Sequence, residues 1–164
     1  MPNAAFALLL LAPPTAGAAL PEGAFGWMAG LAGHCWRADL GDGTSDTQCY
    51  STQFGRFLRG TIEIAAPDAA GRPPYRGDSL LAWNADRAEI AFRYWGSAGN
   101  VGEFVGTLAG EDIVFTSVPG PSGAAPATRN VWTRIDGDSY RVVRQKRSGG
   151  AWTDLLAVTY SRLP

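Results

Sequence analysis

The chain has 164 residues, of which 46% are apolar and 11% aromatic, enough for one globular domain with an apolar core. Its 14 basic and 15 acidic residues give a formal net charge of -1, whereas nucleic-acid-binding proteins normally carry a basic excess, so we expect no nucleic-acid partner. One His and two Cys exclude His-rich metal sites, zinc knuckles and scaffolds held by several disulfides.

The start of the chain is predicted to be a secretory signal peptide. Residues 4–14 carry no polar side chain, but this run is far shorter than the about 20 residues that span a bilayer. The small residues of 16–19, AGAA, suit cleavage after Ala18 or Ala19. We therefore expect a signal peptide over 1–19 and an exported domain over 20–164, periplasmic or secreted, with no further membrane-spanning segment.

A short helix or helical turn is predicted over 21–32, because Phe25, Met28 and Leu31 recur there near helical spacing. Beyond it, runs of β-branched and aromatic residues alternate with turn residues such as Gly, Asp and Pro. This pattern predicts ten strands, over 34–40, 46–53, 57–65, 79–84, 88–95, 101–108, 111–118, 129–135, 139–147 and 152–162.

Ten short strands joined by hairpin turns predict an all-β fold, an antiparallel up-and-down barrel that follows a short N-terminal helical turn. A meander of this length usually closes on itself, because closure leaves no exposed edge strand. A barrel of this size either fills its interior with side chains or holds one small ligand. The sequence pattern leaves that choice open.

The two cysteines are expected to form a structural disulfide. The segment 40–44, LGDGT, predicts a hairpin turn centred on Asp42, and this turn places Cys35 directly opposite Cys49. Cross-strand partners lie close enough to be bridged, and an oxidising export compartment favours the bond. Closing a loop of about 15 residues stabilises a fold by about 3 kcal/mol in the chain-entropy model.

Side chains alternate between the two faces of a strand, which predicts the residues that face the interior. In the first hairpin we expect Trp36 and Tyr50 inside, with the two cysteines outside. Arg59 and Glu63 are expected on the outer face of the third strand. The residues expected on inward or shared apolar faces of the third and fifth strands are Leu58, Ile62, Ile64, Ile90, Phe92 and Tyr94.

An apolar helical turn, FGWMAG over 25–30, is followed by GHCWR over 33–37, in which Trp-Arg opens the first strand. This arrangement resembles the start of lipocalin-like barrels, including nitrobindin-like proteins and small bacterial exported domains. The resemblance implies that Trp36 closes one end of the barrel against the helical turn. Nitrobindin-like proteins bind haem through a His near the C-terminus, and this chain has no His after His34, so we expect no haem or other cofactor.

The last three predicted strands bring a mixture of aromatic and cationic residues together. With two-residue turns at 136–137 and 149–150, Trp132 is expected opposite Arg141, and Arg141 opposite Val158. Trp152, Asp154, Leu156 and Val143 are expected on the face that holds Val158.

Tyr160 and Arg162 are expected to share that same face. Fatty-acid-binding barrels, which the predicted architecture resembles, hold a carboxylate with inward Arg and Tyr side chains. The resemblance therefore implies that Arg141, Tyr160 and Arg162 could bind an anionic head group. The opposite face, with Tyr140 and Val142, is also apolar, and the pattern leaves open which face is inside. The candidate ligand-binding residues are Trp36, Tyr50, Trp132, Arg141, Tyr160 and Arg162.

Residues suited to acid-base catalysis are scarce. His34 is the only imidazole, and no Gly-x-Ser-x-Gly motif accompanies it. The acidic pair at 136 and 138 lies at a predicted turn, where Asp supports the turn geometry. The acidic segment 41–46, GDGTSD, is short and lacks the Glu of an EF-hand, so a hairpin turn is favoured over a calcium site. We expect no enzyme activity and no metal.

Two functions remain in view. The first is an exported barrel that binds a small apolar or amphipathic ligand, and its interior would then be open. The second is a periplasmic protein-interaction module, such as an enzyme inhibitor, whose contact surfaces could be the loops over 67–77 and 119–127. A filled interior would favour this second function.

Overall fold

The structure, a computed structural model, describes residues 20–21, 23–66, 73–119 and 127–164. A 3-10 turn over Gly26–Leu31 precedes ten strands in these ranges. The strands are β1 (Cys35–Gly41), β2 (Thr44–Gln53), β3 (Phe57–Ala65), β4 (Tyr75–Asn84), β5 (Glu89–Gly96), β6 (Val101–Ala109), β7 (Asp112–Ser117), β8 (Thr128–Arg134), β9 (Ser139–Ser148) and β10 (Ala151–Arg162). Each predicted strand is present, and the largest difference is that β4 starts at Tyr75. The expected signal peptide over 1–19 lies outside the described residues.

The strands form one closed antiparallel barrel, as predicted. Each strand pairs with its neighbours along the chain, and β1 pairs with β10 to complete the ring. This closing seam is short. Only Trp36 and Arg37 of β1 have register partners on β10, which are Arg162 and Ser161.

The 3-10 turn covers one end of the barrel, which we call the closed end. It buries the side chains of Met28 and Leu31, with Phe25 just before it. The indole of Trp27 donates a hydrogen bond of 3.1 Å to the carbonyl of Glu111 in the β6–β7 turn. The amide of Gly33 donates to the carbonyl of Tyr50 at 2.8 Å. The opposite end, where the β1–β2, β5–β6 and β9–β10 turns lie, is called the mouth.

The β1–β2 turn gives the predicted pairing of the cysteines, but through a register shift. Asp42 and Gly43 both have positive φ, 53° and 70°, as a tight two-residue hairpin turn requires, and Gly41 pairs with Thr44. The register then shifts by one residue between Gly41 and Asp39, so that Cys35 pairs with Cys49, and the two form the predicted disulfide. The bond lies on the outer face because Trp36 and Tyr50, the next residues along each strand, are buried inside.

The β8–β9 turn differs from the prediction by one residue. The Asp136 carboxylate accepts hydrogen bonds of 2.8 Å from the Asp138 amide and from the Ser139 hydroxyl. These bonds stabilise a longer turn, so that Trp132 pairs with Val142 and the predicted pairing with Arg141 is wrong. A slip of one residue moves every side chain of a strand to the other face.

A bulge on β10 produces the second difference. The two-residue β9–β10 turn is confirmed, because Ser148 pairs with Ala151. The register then shifts between Asp154 and Leu156, and Arg141 pairs with Thr159 instead of Val158. Because the bulge adds one residue to β10, residues at even spacing on its two sides face opposite ways. Trp152 therefore lies on the outer face, and the expectation that it shares the face of Val158 is wrong. The Arg129 guanidinium lies over the Trp152 ring, 4.5 Å from its centroid.

Glycines line part of the inner wall, with aromatic rings lying over them. Gly77 and Gly96 are register partners on β4 and β5. The rings of Tyr94 and Tyr75 occupy the space that a Cβ atom at these two positions would need. Partly buried aromatic rings therefore cover these glycines on the inner face of the barrel.

Candidate functional site

Four of the six candidate ligand-binding residues lie inside the barrel. Trp36, Tyr50, Trp132 and Tyr160 are all buried, and each is at most 7% exposed. They lie around Asp46, Gln48 and Tyr140, three buried residues that the sequence analysis did not select. We call these seven residues the aromatic–polar cluster.

Tyr140 lies at the centre of the cluster. Its ring stacks on Tyr160 with centroids 4.9 Å apart and on Trp132 with centroids 5.5 Å apart. Trp36 meets the same ring edge-on at 5.3 Å, and Trp27 of the 3-10 turn contacts it at 5.6 Å. Aromatic pairs at these separations are favourable beyond their burial alone. Tyr140 therefore connects the closed end to the interior of the barrel.

A hydrogen-bond network joins the polar members of the cluster. The Tyr160 hydroxyl donates to Oδ2 of Asp46 at 2.6 Å, and the Tyr50 hydroxyl donates to Oε1 of Gln48 at 2.6 Å. Nε2 of Gln48 donates to Oδ2 of Asp46 at 3.1 Å and to the Tyr160 hydroxyl at 2.8 Å. The donors of Tyr50, Tyr160 and Gln48 are thus all directed at atoms within the cluster.

Three buried polar atoms of the cluster have no hydrogen-bond partner among the described residues. They are Oδ1 of Asp46, Nε1 of Trp36 and Nε1 of Trp132. The first is an acceptor and the other two are donors. Buried polar atoms in native proteins are nearly always paired with protein, water or ligand.

Burial determines the protonation of the cluster. Desolvation raises the pKa of the Asp46 carboxyl, although the hydrogen bonds from Tyr160 and Gln48 act in the opposite direction. Burial likewise raises the pKa of Tyr50, Tyr140 and Tyr160. The negative charge of Asp46 raises the pKa of Tyr160 further. The three phenols therefore remain protonated at neutral pH.

The two arginines expected beside Tyr160 do not meet there. Arg141 is exposed on the outer face, because the turn and the bulge place Tyr140 inside. Arg162 lies at the closed end and forms a 2.8 Å ion pair with Asp138. The expected cationic site around Tyr160 is therefore not formed, and the buried charged residue next to Tyr160 is Asp46.

The inner face of β10 becomes more exposed towards the mouth. Tyr160 is 3% exposed, Val158 8% and Leu156 44%, although all three project from the same face of the strand. The register partner of Leu156 on β9 is Arg144, which is exposed at the mouth. Phe92 and Phe104, whose rings stack with centroids 5.4 Å apart, are also only partly buried.

Two clefts lie outside this inner face. One, of about 260 Å³, lies at the closed end and is lined by Trp27, Trp36, Arg134 and Tyr140 among others. The other, of about 620 Å³, follows the short seam between β1 and β10.

His34 is exposed and lines neither of these two clefts. Within the described ranges, no group of three His, Cys, Asp or Glu side chains is arranged to hold a metal ion.

The missed residues carried a partial signal in the sequence. Asp46 and Gln48 lie four and two residues before Tyr50, and side chains at even spacing share one face of a strand. The prediction that Tyr50 faces the interior therefore implied that both of them do so too. Tyr140 gave no such signal, because its face depends on the turn that Asp136 organises.

No protein-family model matches the chain, and no curated protein matches it. The described part of the chain contains no helix long and apolar enough to span a membrane.

Proposed function

We propose that the protein is a non-catalytic barrel that binds one small amphipathic molecule in its interior, with access from the mouth. The rise in exposure from Tyr160 at 3% to Leu156 at 44% carries this proposal. Continued beyond its two register pairs, β1 would end beside Ala157, so Leu156 lies at the rim of the barrel. A ligand that enters from the mouth would meet this exposed leucine first and the buried Val158 next.

The residues between the mouth and the cluster suit an apolar group. Val142 and Phe104 are partly buried and pack against the core, and Val158 lies between Leu156 and the cluster. Burying about 200 Å² of apolar ligand surface would contribute about 5 kcal/mol before the entropy of binding is subtracted. The polar atoms of the cluster would meet the other end of the ligand.

A pair of bulky substitutions on β10 tests this site. Leu156→Trp places a large ring on the inner face near the mouth, whereas Ala157→Trp places the same ring on the exposed outer face. The probe is the neutral fluorescent dye N-phenyl-1-naphthylamine, titrated into the oxidised protein. We expect Leu156→Trp to weaken dye binding about tenfold or more and Ala157→Trp to leave it nearly unchanged. No binding by the wild type, or equal effects of both variants, would contradict the proposal.

We also propose that the chain is a lipocalin-like barrel that is exported. The closed antiparallel barrel and the Cys35–Cys49 disulfide support this assignment. Expression with export followed by intact mass analysis tests it. We expect a chain cleaved after Ala18 or Ala19 and lighter by the two hydrogen atoms lost on oxidation. An uncleaved or reduced product from the export compartment would contradict this assignment.

A protein-interaction module remains the second candidate. Phe54 in the β2–β3 turn is 80% exposed, and Ile135 in the β8–β9 turn is 54% exposed. Both lie at the closed end, and exposed apolar side chains at one end favour a protein contact there. A photo-cross-linker at position 54, with one at the exposed wall position 93 as control, tests this in the export compartment. A single cross-linked partner specific to position 54 would support it, and its absence would exclude it.

A further inference from the structure

Asp46 combines three properties that bear on the chemistry of a ligand. It is 7% exposed, it faces the interior, and one of its two carboxylate oxygens has no partner among the described residues. Trp36 and Trp132, which are 3% and 7% exposed, each present an unpaired indole N–H in the same cluster. Leaving such a buried group unpaired is unfavourable, and more so when it is charged.

No donor of the cluster reaches this oxygen. The indole N–H groups of Trp36 and Trp132 are unpaired, but neither forms a hydrogen bond with Oδ1. The hydroxyls of Tyr50 and Tyr140 are directed at Oε1 of Gln48, and that of Tyr160 at Oδ2 of Asp46. The amide hydrogens of Gln48 are directed at Oδ2 of Asp46 and at the Tyr160 hydroxyl. A partner for Oδ1 must therefore come from outside the cluster.

The geometry points to a ligand whose polar end donates a hydrogen bond, and we propose that a hydroxyl, amide or ammonium group of the ligand binds Oδ1 of Asp46. This inference rests on the proposed function and adds the chemical class of the ligand. An acceptor atom on the same ligand would meet the indole N–H of Trp36 or Trp132. The aromatic rings around Tyr140 would contact its apolar part.

An anionic head group is disfavoured at this position. A ligand carboxylate close to Asp46 would bring two like charges together in a poorly solvated interior, which raises the energy of both. The cationic side chains that could offset it lie elsewhere: Arg141 is on the outer face and Arg162 is paired with Asp138. Arg144 lies at the mouth beside Leu156, so an anion could be held there but not at Asp46.

A set of matched amphiphiles tests the inference. Decan-1-ol, decylamine and decanoate have the same chain length and differ in the polar group, and each would be used below its micelle concentration to displace N-phenyl-1-naphthylamine at neutral pH. We expect the alcohol and the amine to displace the dye at concentrations about tenfold lower than decanoate does. Displacement by decanoate at equal or lower concentration would overturn the inference and would favour Arg144 as the polar contact.

Two variants separate a contact with Asp46 from a structural effect. Asp46→Asn removes the charge, and we expect the preference for decylamine over decanoate to fall about fivefold or more while dye binding persists. Asp86→Asn changes an exposed carboxylate in the β4–β5 turn and should leave the preference unchanged. An unchanged preference in Asp46→Asn would overturn the inference.

A measurement on the wild type covers the case in which Asp46→Asn does not fold. Methyl nonyl ether matches decan-1-ol in length but has no hydroxyl hydrogen to donate to Oδ1 of Asp46, so it should displace the dye only at concentrations about fivefold higher. Displacement by the ether and the alcohol at equal concentrations would overturn the inference. Failure of the wild type to bind the dye at all would overturn the proposed function itself, which is a different result from a loss of preference among the amphiphiles.

Discussion

The hydroxyl of Tyr160 donates a hydrogen bond of 2.6 Å to the carboxylate of Asp46, which lies 114 residues earlier in the chain. Tyr160 is on β10 and Asp46 is on β2, so the bond passes over β1, where the register partner of Asp46 is Ala38. The small Ala38 side chain leaves room for this contact. Because β1 and β10 share only two register pairs, the bond strengthens the seam that closes the barrel.

We expect this bond to contribute measurably to stability. In a double-mutant cycle of Tyr160→Phe and Asp46→Asn, the coupling free energy should be about 1.5–3 kcal/mol, the range for a buried hydrogen bond to a charged group. Urea unfolding of the four proteins measures it. The exposed ion pair of Arg59 and Asp78, at 2.7 Å, provides the matched control and should give about 1 kcal/mol or less. Equal coupling free energies in the two cycles would show that the bond between Tyr160 and Asp46 stabilises the fold no more than an exposed ion pair does.

The raised pKa of Asp46 predicts a specific dependence of stability on pH. Burial is the main cause, so the folded state binds the Asp46 proton more tightly than the unfolded state does. The free energy of unfolding should therefore fall as the pH rises from about 4 through the raised pKa of the folded state. Urea unfolding across this range measures the effect.

Asp46→Asn should remove the decrease in the free energy of unfolding that Asp46 causes as the pH rises. Asp136 supplies a contrast, because hydrogen bonds from the Asp138 amide and the Ser139 hydroxyl lower its pKa. Its contribution is present above about pH 4 and is lost as the pH falls through the lowered value, so Asp136→Asn should flatten the acid side of the profile instead. A wild-type profile identical to that of Asp46→Asn would show that the pKa of Asp46 is not raised in solution.

The disulfide should stabilise the barrel by limiting the unfolded chain. Replacing Cys35 and Cys49 together with Ala should lower the free energy of unfolding by about 3 kcal/mol, as expected for a loop of about 15 residues. Urea unfolding measures this loss, and the reduced wild type serves as the control because it retains both side chains. A loss much smaller than this in both proteins would mean that the β1–β2 hairpin remains ordered in the unfolded state.

The inner glycine wall should not accept a side chain where an aromatic ring lies. A Cβ atom at Gly106 would lie 2.7 Å from Cδ1 of the Phe115 ring, which is fully buried. Gly106→Ala should therefore destabilise the barrel by about 1–3 kcal/mol. Gly137 has no heavy atom within 4 Å of the same position, so Gly137→Ala should change stability by less than about 0.5 kcal/mol. Equal thermal unfolding midpoints would show that the Phe115 ring moves aside freely.

Much of the fold follows from local patterns in the sequence. Runs of β-branched and aromatic residues between turn residues predicted the ten strands, and a turn centred on Asp42 predicted the pairing of Cys35 with Cys49. The alternation of side chains along a strand placed Trp36 and Tyr50 inside. These features depend on residues close together in the chain, because a turn and any bulge beside it determine the register of the strands that they join.

The tertiary structure alone decided the composition of the site. The side-chain bonds of Asp136 lengthen one turn by a residue, and the bulge near Leu155 shifts one register, so Tyr140 lies inside and Arg141 outside. Neither shift changes the strand pattern in the sequence. The contact of Asp46 with Tyr160 also requires closure of the barrel, because only closure brings the first and last strands together. The residues and their alternation were therefore readable in advance, whereas the polarity of the interior depended on register and closure.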